Sequence, residues 1–307
     1  MRSYLQLCRF PAVFTALGDI LLGYLLVQST LTPVVSVAAL LVATAGLYLS
    51  GMAWNDIFDR EEDARERPKR PIPSGRIPLR SATVFAAGLM GLGLAASAVA
   101  GSPSLFVALI LSGCILLYDA WLKRTPVGPV AMGTCRFLNV LLGASGGAAT
   151  FADVWRMPQM WVAAAMGIYI AGVTWFARKD SGESPRGALV ASGFVINLGF
   201  LGLAAWVSGA ALRWGFGDPV LDPPGEWNLV LALLVIAITV NRRIVLAVGD
   251  PSPRVVQLAV KTMLLTLLVL DALLIYYYRG DPGMPYSLVC LAMLIPALFL
   301  GRWLTIT

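Results

Sequence analysis

Three aspartates, Asp56, Asp59 and Asp63, end one long apolar run and open the charged stretch WNDIFDREEDARERPKRPIPSGR. Their offsets of three and four stack the carboxylates on one face of a helix. Like charges at that spacing repel, by about 0.2–0.5 kcal/mol per pair on an exposed helix. A row of them therefore predicts a bound cation. The chain has no histidine, so the ligands on offer are oxygens. Oxygen ligands suit a hard ion such as Mg²⁺, which is held by one or two carboxylates plus substrate phosphates. Asn55 flanks the acids on the membrane side. Pro68, Pro71 and Pro73 break the helix, and Lys69, Arg70 and Arg76 bring positive charge alongside. The expectation is a Mg²⁺–diphosphate site at the mouth of a membrane protein. Asp56, Asp59 and Asp63 would be its metal ligands and catalytic groups. The preference of basic loops for the cytoplasm explains the arginines by itself. It does not explain three acids in helical register against a hydrophobic helix.

Two further clusters sit between apolar runs. In Tyr118-Asp119-Ala120-Trp121-Leu122-Lys123-Arg124, Lys123 and Arg124 are suited to phosphate oxygens, one as a point charge and one as a fork. An ordinary cytoplasmic anchor explains them equally well, and Tyr118 is either a substrate contact or an interfacial aromatic. After Arg178 and Lys179, Asp180 and Glu183 are three apart. They would form a second carboxylate pair, able to hold a second Mg²⁺, if the helix persists past Lys179. A solvated loop explains this pair nearly as well. Asp19, Arg136, Lys261 and Asp271 fall inside apolar runs, where charges either pair with one another or line a polar interior. Both readings stand, and Asn139 and Asn197 share the ambiguity.

The elements that position these groups are membrane helices. Hydrophobic residues make up 58% of the chain and charged ones 13%, with a mean hydropathy of +0.77. A soluble domain of this length does not have that composition. Ten apolar runs cover about 10–28, 34–54, 81–100, 104–118, 128–149, 159–177, 187–208, 228–248, 256–278 and 286–304. Most approach the roughly 20 residues that a bilayer core requires. They do not alternate as barrel strands do, so they are helices. The fold class is therefore all-α: one polytopic domain over 1–307 with about nine to ten transmembrane helices. The net charge of +6 is spread over short loops, not gathered on a soluble face, which argues against nucleic-acid binding. Every other loop is rich in Arg and Lys, so the N-terminus and the loops carrying the clusters are expected on the cytoplasmic side. Cys8, Cys114, Cys135 and Cys290 form no CxxC pair and read as small buried hydrophobes.

These residues resemble the UbiA superfamily of membrane prenyltransferases. Asn55-Asp56-x-x-Asp59-x-x-x-Asp63 matches the family's NDxxDxxxD motif at every defined position. Arg67-Pro68-x-Arg70-Pro71-Ile72-Pro73-Ser74-Gly75-Arg76 looks like the RP(L/I)PSGR segment that follows it. The Tyr118–Lys123 stretch is similar to the family's Tyr/Lys loop, and Arg136 falls where a family arginine follows that loop. The YDAWLKRTPVGP…RFLN run looks most like a bacterial subgroup, which implies the bacterial inner membrane as the location. The resemblance implies a helical bundle around a central cavity and Mg²⁺ as cofactor. It also implies an isoprenyl diphosphate donor held in membrane lipid, and a small acceptor expected to be aromatic. In that frame Asn55, Arg70, Tyr118, Arg178 and Lys123 meet the diphosphate, while Arg136, Asp19 or Asp271 positions the acceptor. Two departures stand out. The family's second motif is a clearer acidic element than Asp180 and Glu183, and the family usually has nine helices, so the tenth run reads as a C-terminal addition. A UbiA-like cyclase or a transferase to a non-aromatic acceptor would share the ionisation step. A transporter would instead place ion sites near the midplane on inverted repeats, whereas the acids here cluster at one face.

Overall fold

The computed structural model describes residues 2–178, 183–217 and 225–303. The apolar runs become helices α1 (Val13–Val27), α2 (Val34–Phe58), α3 (Leu79–Ala100), α4 (Ser102–Ala120) and α5 (Gly128–Ser145). They continue as α6 (Gln159–Phe176), α7 (Arg186–Val207), α8 (Trp227–Gly249) and α9 (Pro253–Arg279). A last span, α10, is made of Met284–Ala292 and Leu294–Trp303. No strand occurs among the described residues. Pro103, Pro129 and Pro253 sit in the first turns of α4, α5 and α9, where a missing N–H breaks no helical hydrogen bond.

Nine of these segments are long and apolar enough to cross a bilayer among the described residues, and the chain is an integral membrane protein. The exception is α5, which carries Arg136 and Asn139. It is packed against α1, α4 and α6, so its polar side chains face protein and not lipid. Consecutive helices pack on one another from α1 to α9, and α9 returns to α1, closing a ring with α10 applied to the outside of α9. The outer wall is apolar: α8 exposes Leu231, Leu234, Val235, Ile238 and Val245.

Close backbone contact sets the inner geometry. A Cβ on Gly23 of α1 would strike the Val140 carbonyl of α5, and one on Gly143 would sit 2.6 Å from the Ile20 carbonyl oxygen. Glycines at the crossing let the two helices touch backbone to backbone, as small residues do in membranes. Gly143 and Gly147, four residues apart, both meet this side of the bundle, Gly143 at Ile20 and Gly147 at Val27 and Gln28. Asn197 does not face a cavity; it exchanges side-chain hydrogen bonds of 2.9 and 2.8 Å with Asn241 across α7 and α8.

At the charged end, a short helix Arg2–Leu7 buries Leu7 against Ala53, Ile57, Ile77, Ala82 and Ala86 of α2, α3 and the loop between them. Another short helix, Arg60–Glu66, follows α2, its first turn rich in acids that favour the positive end of the helix dipole. The proline-rich segment then folds back on itself through backbone bonds from Ser74 to Arg70 and from Ile77 to Pro71. That return brings Arg70 over the end of α2.

Candidate active site

Two adjoining cavities open among these ends. The outer one, about 340 Å³, is a polar vestibule. Six cations line it, namely Arg9, Arg67, Arg70, Lys123, Arg124 and Arg178, against two acids, Asp59 and Glu62. The inner one, about 370 Å³, is walled mainly by apolar side chains such as Leu47, Met52, Leu111, Ile115, Ile170 and Val173. Both volumes lie in the range of small-molecule sites. Arg9, Tyr118, Thr174 and Ala177 line both compartments and mark the seam.

The three motif aspartates do not stand in a single row. α2 ends at Phe58, and the backbone at Asp59 leaves helical geometry (φ −89°, ψ 3°) before the short helix resumes. Asp56 and Asp63 stay together, buried at 5% and 2% exposure. Arg70 Nη1 lies between them, 3.2 Å from Asp56 Oδ1 and 2.6 Å from Asp63 Oδ2. Asp59 turns toward the α4–α5 loop, where its Oδ1 lies 2.7 Å from Lys123 Nζ and 3.3 Å from Arg124 Nη2. Asn55 donates to Asp119 Oδ1 at 3.0 Å and accepts from Arg9 at 3.3 Å. Arg178, at the end of α6, lines the vestibule and donates to the Thr125 carbonyl at 3.1 Å. Glu183 is exposed and is not a wall residue of either cavity, and Asp180 lies outside the described residues. Arg76 faces outward and ties the loop to Gln6 of the N-terminal helix, a structural role.

Among the described residues no three carboxylates, thiols or imidazoles converge as a ready-made metal cage. The donor chemistry nevertheless fits Mg²⁺. Two buried carboxylates already share one positively charged atom, and Mg²⁺ takes one or two carboxylates with the rest of its shell from phosphate and water. Cys8 is buried, and that burial, with the nearby Asp56 charge adding, pushes its thiol up to about 12.

At the far end of the inner chamber lies a polar floor. Arg136 Nε is 2.7 Å from Asp19 Oδ2, and its Nη2 donates to the Thr15 carbonyl at 2.8 Å. Asn139 donates to Asp19 Oδ2 at 2.8 Å and accepts from Thr44 at 2.7 Å. Arg136, Asn139, Thr15 and Thr44 line the chamber, whereas Asp19, fully buried, stands behind them.

Two of the wall residues have no signal in the motifs. Arg9 is the single non-glycine with positive φ among the described residues (φ 45°, ψ 46°). That left-handed backbone costs about 1–2 kcal/mol and carries the guanidinium back to Asn55 and to Asp56, 3.2 Å away. Asp119, 4% exposed, lines the inner chamber at the seam. In the sequence it is one acid in a charged loop; only the Asn55 contact sets it apart.

A family model described as the UbiA prenyltransferase family matches residues 16–246. The chain belongs to that family. A digeranylgeranylglyceryl phosphate synthase of Methanopyrus kandleri is 38% identical over 162 residues, covering 50% of this chain and 57% of the relative. A second, from Metallosphaera sedula, is 36% identical over 145 residues, covering 47% and 51%. The matched region thus spans about half the length of these archaeal relatives. The structure of a UbiA homolog from Aeropyrum pernix K1 superposes with a TM-score of 0.65 at 20% identity, over 85% of this chain and 96% of that one. A UbiA homolog from Archaeoglobus fulgidus, solved with GPP and Mg²⁺, gives 0.61 at 15% identity over 94% and 99%. At such identities the likeness to this UbiA-family chain is one of fold.

Proposed function

We propose that this protein transfers an isoprenyl group from an isoprenyl diphosphate to a hydroxyl of a glyceryl phosphate lipid. One observation carries the reading. A vestibule with six cations adjoins an apolar chamber of similar size, a shape complementary to an amphiphile with a multiply charged head and a hydrocarbon tail. The family and the fold favour isoprenyl transfer, and a fold neighbour is described as binding GPP and Mg²⁺. The aromatic acceptor expected from the sequence gives way, because the relatives' name specifies a glyceryl phosphate product.

Asp56 and Asp63, buried beside Arg70 and outside the lining of both cavities, are the residues that would hold Mg²⁺, while Asp59 lines the vestibule toward Lys123. The ion, when bound, supplies charge neutralisation for the departing diphosphate. Arg9, Arg70, Lys123 and Arg178 add fixed positive charge at the head group, which stabilises charge as it develops on the leaving oxygens. The allylic C–O bond breaks with its electron pair leaving on diphosphate. The apolar chamber wall keeps water from the cationic carbon. The acceptor oxygen bonds to that carbon, and its proton passes to Asp119, the buried carboxylate at the seam. Tyr118 lines both compartments there and orients the head group relative to the tail.

The test is to incubate the purified protein with Mg²⁺ and geranylgeranyl diphosphate. A geranylgeranylglyceryl phosphate and an aromatic acid are offered together, and products are read by mass spectrometry. The expected product is the doubly prenylated glyceryl phosphate. A prenylated aromatic product alone would overturn the acceptor assignment, and no product would overturn the transferase reading.

A further inference from the structure

Behind the polar floor, three carboxylate oxygens have no hydrogen-bond partner: Oδ1 of Asp19 and both oxygens of Asp271. Both residues are fully buried, Asp19 on α1 and Asp271 on α9. Asp271 reaches α1 at the residue before Asp19, since a Cβ on Gly18 would lie 2.6 Å from Asp271 Oδ2. The groups facing them from neighbouring helices are Arg136 and Asn139 of α5 and the Cys290 thiol of α10, which donates to the Leu268 carbonyl. Arg136 is a single positive charge and is already paired with Asp19 Oδ2. Lys261 is on α9 too but exposed, ten residues and roughly 15 Å along the helix from Asp271.

Two ionised acids against one arginine would leave an uncompensated charge within the membrane. Such a group neutralises itself instead. A protonated carboxyl also gains one donor, and the unsatisfied acceptor beside it is Asp19 Oδ1. We propose that Asp271 carries a proton and donates it to Asp19 Oδ1, making Asp19, Asp271 and Arg136 a neutral brace across α1, α5 and α9. Asp271 is thus a positioning residue. It fixes the rotation of the Asp19 carboxylate, which in turn fixes the arginine that floors the chamber. This assignment of the proton does not depend on the proposed reaction; its kinetic consequence does.

Infrared spectroscopy of the purified protein tests the proton directly. The wild type should show the carbonyl band of a protonated, solvent-shielded carboxylic acid, shifted in D₂O and absent in Asp271→Asn. The amide of Asp271→Asn can still donate to Asp19, so its KM for the chamber-bound substrate should stay within about threefold of wild type. Asp271→Leu cannot donate, and its KM should rise about tenfold or more, equivalent to about 1.4 kcal/mol of binding, with kcat little changed. A wild type without the band, a band that survives in Asp271→Asn, or Asn and Leu variants with equal KM would overturn the proposal. If the Leu variant fails to fold, the band and the Asn variant decide. A wild type that turns over no substrate would count against the proposed function, and the band would still decide the brace.

Discussion

At the scale of single residues, the charged end matches the three motif acids to cations and Asp119 to an amide. Arg70 bridges Asp56 and Asp63, Lys123 meets Asp59, and Asn55 links Arg9 to Asp119. Asp119 is the sharpest case, because its proposed role separates two half-reactions. Asp119→Asn should lower kcat for transfer to the lipid hydroxyl about 100-fold, the lower end of what general acid–base catalysis contributes. Mg²⁺-dependent diphosphate release to water should persist in the same variant. Equal loss of both activities would move Asp119 from proton acceptor to a support for Asn55. The acids at 56, 59 and 63 were legible because their spacing conflicts with electrostatics unless something compensates them. That they split, two around Arg70 and one toward Lys123, was not, because the split comes from a backbone break at a single residue. Arg9 was hidden for a similar reason: its importance lies in a left-handed φ, and a sequence records only a basic residue ahead of an apolar run.

At the scale of elements, the site depends on how closely α1 and α5 approach. Arg136 and Asn139 reach across to Asp19 and Thr15 only because Gly23 and Gly143 allow backbone contact. Gly23→Leu should therefore separate the helices at the chamber floor. Overpacking of a tight interior costs about 1–3 kcal/mol, read as a lowered unfolding midpoint in detergent, and it should weaken binding in the chamber. Gly88→Leu, on α3 where a Cβ meets nothing within 4 Å, serves as the control and should be near neutral. Length and hydropathy made the helices legible as spans, and α5 shows where that reading thins. Its polar residues lower its apolar character, yet they are the ones that build the floor. Which helix the glycines of α1 and α5 meet is a property of the ring and not of any local pattern.

At the scale of the whole molecule, the walls of the vestibule come from the N-terminal segment, the α2–α3 loop, the α4–α5 loop and the end of α6. Those segments lie on one side of the bilayer if the helices alternate, and the preference of Arg- and Lys-rich loops for the cytoplasm predicts that this is the cytoplasmic side. In a background without native cysteines, a cysteine at Glu66 should react with an impermeant thiol reagent only from the cytoplasmic side. One at Thr150, in the α5–α6 connection, should react only from the opposite side. The reverse pattern would invert the vestibule. On the proposed function, buried acids at this mouth would hold a divalent ion that draws diphosphate from an isoprenyl chain. The most direct test is diphosphate release from geranylgeranyl diphosphate by the purified protein, with and without Mg²⁺, compared between wild type and a folded Asp56→Asn variant. Mg²⁺-dependent release is expected in the wild type and its loss in the variant; release that ignores Mg²⁺, or that survives undiminished in Asp56→Asn, would rule out a metal held by these acids.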